Sequence, residues 1–161
     1  MRVLAIDPGY GRCGVAILEK HSGKEVLIYS DCIETAAGDP FPERLAAVAD
    51  AAARLATEYE PDCMALEKLY ITKNQKTAMQ VAEVRGALLQ VAAVAGLTVA
   101  EYTPGQVKQA TTGYGSADKQ AIARMVRLQL SITKDIRHDD EYDAIAVGLT
   151  HLTHTRTPTE G

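Results

Sequence analysis

Short apolar runs and helically spaced apolar residues alternate along the chain. Three apolar runs come first, at residues 3–6, 14–18 and 25–33, and turn-forming residues such as Asp7-Pro8-Gly9 separate them. This spacing predicts consecutive antiparallel strands. The rest of the chain alternates helical spacings with short apolar runs. We predict helices over 42–59, 77–95, 104–110, from Ser116 onward and over 139–152, with strands at 63–66 and 97–101.

The order of these elements, βββαβαβα with extra helices, indicates an α/β fold in which helical crossovers lead to the later strands. Gly96 stands where a glycine ends a helix, and Ser116 is the predicted N-cap of the helix that follows it. We expect one domain over residues 1–154 and a polar tail over 155–161.

The formal charge of −4 over 161 residues conceals a segregated distribution. Residues 1–66 carry 6 basic and 11 acidic side chains, residues 67–134 carry 9 and 4, and residues 135–161 carry 2 and 6. The basic middle segment is therefore a candidate nucleic-acid surface, with ordinary surface variation as the alternative.

Cysteine usage and the N-terminus suggest a location. The three cysteines include no close pair, and the start of the chain lacks the apolar run and cleavage site of a signal peptide. We expect reduced thiols and a cytoplasmic protein.

Two acidic residues follow apolar runs directly. Asp7 comes after the run at 3–6, and Glu67 comes after the run at 63–66. A carboxylate at the end of a buried strand is costly unless it is paired, hydrogen-bonded or bound to a metal. The alternative for either residue alone is that it marks the exit of the strand into solvent.

A second acidic group precedes the last helix. Asp140 and Asp143 are three residues apart and share a helix face with the apolar Val147. Favourable interaction with the helix dipole alone could explain acids in a first turn. Together with the two strand-end acids, however, they give four carboxylates able to converge. Such oxygen ligands suit Mg²⁺ or Mn²⁺, and two ions about 4 Å apart can drive phosphodiester hydrolysis.

Motifs distributed along the chain resemble the RuvC family of Holliday-junction resolvases, nucleases of the ribonuclease H-like fold. The matching segments are Ile6–Gly9, Leu66–Glu67, Lys73–Asn74, Arg85–Gly86, Gln106–Gln109, Gly115–Lys119 and Asp140–Val147. Their order and spacing together carry the resemblance. It implies a mixed five-stranded sheet flanked by helices.

The resemblance also implies functional residues and partners. Asp7, Glu67, Asp140 and Asp143 would be the catalytic metal ligands for two Mg²⁺ ions, with Mn²⁺ as a substitute. Lys119 would act near the scissile phosphate. The expected DNA contacts are Tyr70, Lys73, Lys76, Arg85, Lys108 and Lys119. Lys68, Arg124 and Arg127 would extend the phosphate-facing surface. Family members are homodimers that pair through the long helix, which is predicted here at 77–95. The expected partners are four-way junction DNA and a branch-migration helicase of the RuvA-RuvB type.

Some positions depart from the family pattern. Cys13 stands where a threonine is usual, and Arg12 with Gly14 also resembles the YqgF-type nucleases implicated in ribosomal RNA maturation. Asp139 is the alternate ligand to Asp140, and His138 lies in a neighbourhood where some members use a histidine. The alternatives to a resolvase are therefore a related nuclease acting on RNA and a non-catalytic junction-binding module. The chain is too short for the two lobes of an actin-like phosphotransferase.

Overall fold

The structure is a computed structural model that describes residues 1–69 and 73–155. Its strands are β1 (Arg2–Asp7), β2 (Arg12–His21), β3 (Lys24–Glu34), β4 (Cys63–Glu67) and β5 (Thr98–Tyr102). Its helices are α1 (Phe41–Tyr59), α2 (Gln75–Val94), α3 (Pro104–Thr112), α4 (Lys119–Leu130) and α5 (Asp139–His154). The predicted order of elements is confirmed.

The five strands form one mixed sheet in the order β3-β2-β1-β4-β5. The β1–β2 and β2–β3 pairs are antiparallel, whereas β1–β4 and β4–β5 are parallel. This confirms the predicted mixed five-stranded sheet. The two central strands, β1 and β4, therefore end at the same edge of the sheet, which is where acids follow both apolar runs.

Helices cover both faces of the sheet. Successive strand side chains point to opposite faces. Val3, Ala5 and Leu18 pack toward α5, while Leu4, Ile6 and Ile17 pack toward α1 and α2. Because β1 is buried on both faces, its sequence is continuously apolar rather than alternating.

Two predicted helix caps have different outcomes. Gly96 has a φ of 72° just after the end of α2, as predicted for a glycine in the left-handed conformation. The Ser116 prediction is wrong, because Ser116 lies in a turn and α4 begins after Asp118. The Asp118 carboxylate accepts from the Ala121 amide at 2.7 Å, so the stronger capping side chain stands two residues later. Lys119 is consequently the first residue of α4.

A glycine on the sheet-facing side of α5 allows this helix to pack close to the sheet. A Cβ added to Gly148 would lie 2.4 Å from Leu18 Cδ1 and 3.1 Å from Ala5 Cβ. Gly148 thus sets the separation between the C-terminal half of α5 and strands β1 and β2. No helix within residues 1–69 and 73–155 has the length and apolarity needed to span a membrane.

Candidate active site

Asp7 and Glu67 are the last residues of the two central parallel strands. The β1–β4 register pairs Ile6 with Leu66, so the next residue on each strand brings these two carboxyl groups side by side. The two carboxyl groups are close enough that each affects the pKa of the other. The predicted pairing of strand-end acids is therefore present.

The first turn of α5 supplies the other two carboxylates. Asp140 and Asp143 reach the cleft because α5 begins directly above β2, where Gly14 is the register partner of Asp7. A Cβ on Gly14 would lie 1.8 Å from the Asp140 carbonyl oxygen and 3.1 Å from Ala144 Cβ. Glycine is required by this close approach. Sequence reasoning missed Gly14, although a glycine inside an apolar strand signals such a contact.

A buried charge network fixes the rotation of the same helical turn. Glu141, between the two aspartates, is buried and accepts from Ser30 Oγ at 2.6 Å and from Lys134 Nζ at 2.7 Å. Lys134 Nζ also donates to the Ser30 carbonyl oxygen at 2.5 Å. The network ties α5 to strand β3. Glu141 is directed away from the cleft, whereas Asp140 and Asp143 are directed into it.

Two lysines face the four carboxylates. Lys119 Nζ lies 3.4 Å from Asp143 Oδ2, and its side chain is 66% exposed. Lys108, on α3, lines the same cleft. A cation in the first turn of a helix opposes the helix dipole, so the position of Lys119 is not explained by helix stability.

The six side chains line one cleft of about 590 Å³. They come from β1, β4, α3, α4 and α5, which are far apart in the chain. The structure thus brings together the four predicted carboxylates with Lys108 and Lys119.

The electrostatics of the cleft favour a bound cation. Burial, reinforced by the charges of Glu67 and Asp143, raises the pKa of Asp7 well above its ordinary value. Burial also raises the pKa of Glu67 and of Asp143, with Lys119 acting in the opposite direction on both. A cation would relieve this repulsion and desolvation. The donor set is all carboxylate oxygen, which fits Mg²⁺. Among the described residues, no three His, Cys, Asp or Glu side chains are already close enough to one another to hold a metal ion.

Arg85 is buried, whereas a side chain that contacts DNA is expected to be exposed. It is only 9% exposed, its Nη1 donates to the Glu67 carbonyl oxygen at 2.5 Å, and its Nη2 pairs with Glu101. Its guanidinium therefore holds the end of β4 against β5 instead of facing phosphate. Sequence reasoning could not see this, because the partners of Arg85 are backbone and a residue of another strand.

The other predicted contacts divide into three groups. Lys68, Lys73, Lys76 and Arg124 are exposed. Tyr70 lies outside the described residues. Arg127 uses its guanidinium internally, donating to Tyr142 Oη at 2.6 Å and to the carbonyl oxygens of residues 132 and 134, so it is not a phosphate-facing side chain.

The two alternate ligands do not take the place of Asp140. Asp140 lines the cleft, whereas Asp139 is exposed outside its lining. His138 is directed toward Arg12, with its Nδ1 3.1 Å from Arg12 Nη1.

Comparison with known proteins identifies the family of this chain. The profile of the family described as crossover junction endodeoxyribonuclease RuvC matches residues 3–151. The crossover junction endodeoxyribonuclease RuvC of Moorella thermoacetica is 42% identical over 94% of this chain and 90% of its own length, and that of Petrotoga mobilis is 43% identical over 94% and 93%.

Solved structures show the same relationship. The Thermus thermophilus RuvC in complex with Holliday junction substrate superposes with a TM-score of 0.87 at 32% identity, covering 94% of this chain and 93% of that one. The yeast mitochondrial Holliday junction resolvase Ydc2 shares the fold at 11% identity, with a TM-score of 0.68. The chain therefore belongs to the RuvC family of crossover junction endodeoxyribonucleases.

Proposed function

We propose that this protein is a Mg²⁺-dependent endonuclease that resolves Holliday junctions by paired symmetric nicks. The observation that carries the proposal is the convergence of four carboxylates and two lysines, from five separate elements, in one cleft. Membership of the RuvC family supports the same substrate.

Each side chain has a defined task in this proposal. Asp7, Glu67, Asp140 and Asp143 would hold two Mg²⁺ ions, and the chemistry those ions would supply is activation of a water molecule and stabilisation of the leaving oxygen. Lys119, exposed beside Asp143, contacts the scissile phosphate, and Lys108 contacts a phosphate at the α3 side of the cleft. Arg85 keeps Glu67 in place from behind through its backbone carbonyl.

We also propose that two copies pair through α2. The helix carries the exposed apolar side chains Met79, Leu89 and Val94, and Val94 is 79% exposed. Beside them, α1 and α2 border a groove of about 660 Å³. Of these three side chains Val94 lines the groove, and exposed apolar side chains beside a groove are typical of a protein interface. A dimer would present one cleft to each of two strands of the junction.

Cleavage of a synthetic mobile four-way junction tests the proposal. We expect paired symmetric nicks that require Mg²⁺, stop on addition of chelator, and disappear in Asp7→Asn while junction binding persists. The binding should weaken with salt because Lys and Arg displace counterions from phosphates.

Three other results would point to different functions. Equal cutting of a plain duplex would contradict junction specificity. Preferential cutting of RNA would indicate a YqgF-type nuclease, and metal-independent binding without cleavage would indicate a binding module. The helicase partner stays a prediction from the family resemblance, and the cytoplasmic location stays a prediction from the cysteine usage and the N-terminal sequence.

A further inference from the structure

Arg12 stands at the edge of the cleft without a task in the function described so far. It is the first residue of β2, two residues before Gly14. Because strand side chains alternate between faces, Arg12 projects on the α5 face while Cys13 is buried on the other. The guanidinium therefore reaches the first turn of α5, where two of the cleft carboxylates lie.

The contacts of Arg12 leave most of its donors unused. Its Nε lies 3.5 Å from Asp140 Oδ2, and its Nη1 lies 3.1 Å from His138 Nδ1. Within residues 1–69 and 73–155 its other N–H groups have no hydrogen-bond partner, and the side chain is 56% exposed. Strong charge-assisted bonds are about 2.7–2.9 Å long, so the contact with Asp140 is a loose, exposed ion pair of little energetic worth.

The guanidinium is nevertheless held in one direction. His138 Nε2 lies 3.0 Å from Glu34 Oε1, and the His138 side chain is mostly buried. The His138 ring therefore lies between Glu34 and Arg12, with Nε2 nearest the carboxylate and Nδ1 nearest the guanidinium. This arrangement orients Arg12 toward the cleft edge instead of leaving it free in solvent.

Arg12 and Lys119 are exposed cations that each lie beside one of the two cleft aspartates of α5. Lys119 pairs with Asp143, and Arg12 pairs with Asp140 one turn earlier. A phosphodiester backbone crossing the cleft would therefore meet one exposed cation at each carboxylate. The planar guanidinium fork can bind a phosphate through two parallel hydrogen bonds, which a lysine cannot do.

We propose that Arg12 is a phosphate-binding residue that grips the nucleic-acid backbone beside the scissile phosphate, opposite Lys119. The proposal deepens the junction-resolving function and rests on it. His138 and Glu34 act as positioning residues that keep the Arg12 guanidinium directed toward the cleft.

The test measures binding of a fluorescent four-way junction in chelator at several salt concentrations, using Arg12→Gln. One lost phosphate contact should reduce the slope of log K against log[salt] by about 0.7–0.9. The matched control is Arg54→Gln, which removes an exposed arginine from α1 on the opposite face of the sheet and should leave the slope unchanged. An unchanged slope in folded Arg12→Gln overturns the proposal, since an arginine that only steadies α5 contacts no phosphate.

A second measurement uses single-turnover cleavage with Mg²⁺. Arg12→Lys keeps the charge but loses the fork, so we expect slower cleavage with a nearly normal salt slope. If Arg12→Gln fails to fold, Arg12→Lys decides the matter, and cleavage at the wild-type rate overturns the proposal. Failure of the wild-type protein to cut the junction would instead contradict the proposed function, while the binding slope would still report on Arg12.

Discussion

The Gly14 contact makes a sharp prediction about how accurately α5 must be placed. In Gly14→Ala the new Cβ would begin 1.8 Å from the Asp140 carbonyl oxygen. An unstrained carbon–oxygen contact is about 3.3 Å long, so the backbone must move by about 1.5 Å. The obstacle is backbone on both sides, and no side-chain rotation can relieve it. The first turn of α5, with Asp140 and Asp143, must therefore lift away from Asp7.

The size of this displacement sets the expected losses. A misplacement of about 1 Å can cost about 100-fold in rate, so we expect Gly14→Ala to cleave the junction at least about 100-fold more slowly. Overpacking should also cost about 1–3 kcal/mol of unfolding free energy. At this chain length that corresponds to a fall in Tm of about 2–4 °C per kcal/mol.

The assay is single-turnover junction cleavage with saturating Mg²⁺, alongside thermal unfolding. Gly148→Ala is the matched control, because it adds the same methyl group to the same helix–sheet contact. Its Cβ would meet the side chains of Leu18 and Ala5 and not a backbone carbonyl, and it lies eight residues from Asp140, about 12 Å along the helix. We expect a modest stability loss and near-normal cleavage.

Two results would refute the reasoning. Gly14→Ala that folds and cleaves at the wild-type rate would show that α5 does not fix the carboxylates. Equal losses of activity in both variants would show that the rate follows stability and not the position of Asp140.

Three further predictions concern charge and assembly. The pKa values of Asp7 and Glu67 are raised in the folded protein, so the free energy of unfolding in chelator should fall as pH rises above the ordinary carboxyl range. In urea titrations Asp7→Asn should show a shallower fall and higher metal-free stability than the wild type. An equal fall in the two proteins would contradict this. Glu141→Gln should lose about 1.5–3 kcal/mol in the same titrations, since it removes the charge of a buried carboxylate that accepts hydrogen bonds from Ser30 and Lys134. Unchanged stability would contradict the network. Val94→Glu should be a monomer by sedimentation. The control is Leu128→Glu, which changes a 74% exposed apolar residue on α4 and should leave the dimer intact. A dimeric Val94→Glu would place the interface elsewhere.

Much of the site could be predicted because its acids break local patterns. Asp7 and Glu67 interrupt apolar runs, and the spacing of Asp140 and Asp143 matches the buried stripe of α5. These signals are local in sequence. The environment of Arg85 is not local, because Glu101 and the Glu67 carbonyl approach it only when β4 and β5 pair. The same holds for Glu141, whose partner Ser30 is 111 residues away.

The order in which the site residues occur along the chain has a consequence for biosynthesis. Asp7 and Glu67 emerge early, but α5 is the last of the elements in the described part of the chain and must dock onto β2, more than a hundred residues upstream. A chain leaving the ribosome N-terminus first therefore holds only half of its carboxylates until the final helix seats on Gly14. A partial chain that lacks α5 therefore lacks Asp140 and Asp143, which are two of the four carboxylates of the cleft.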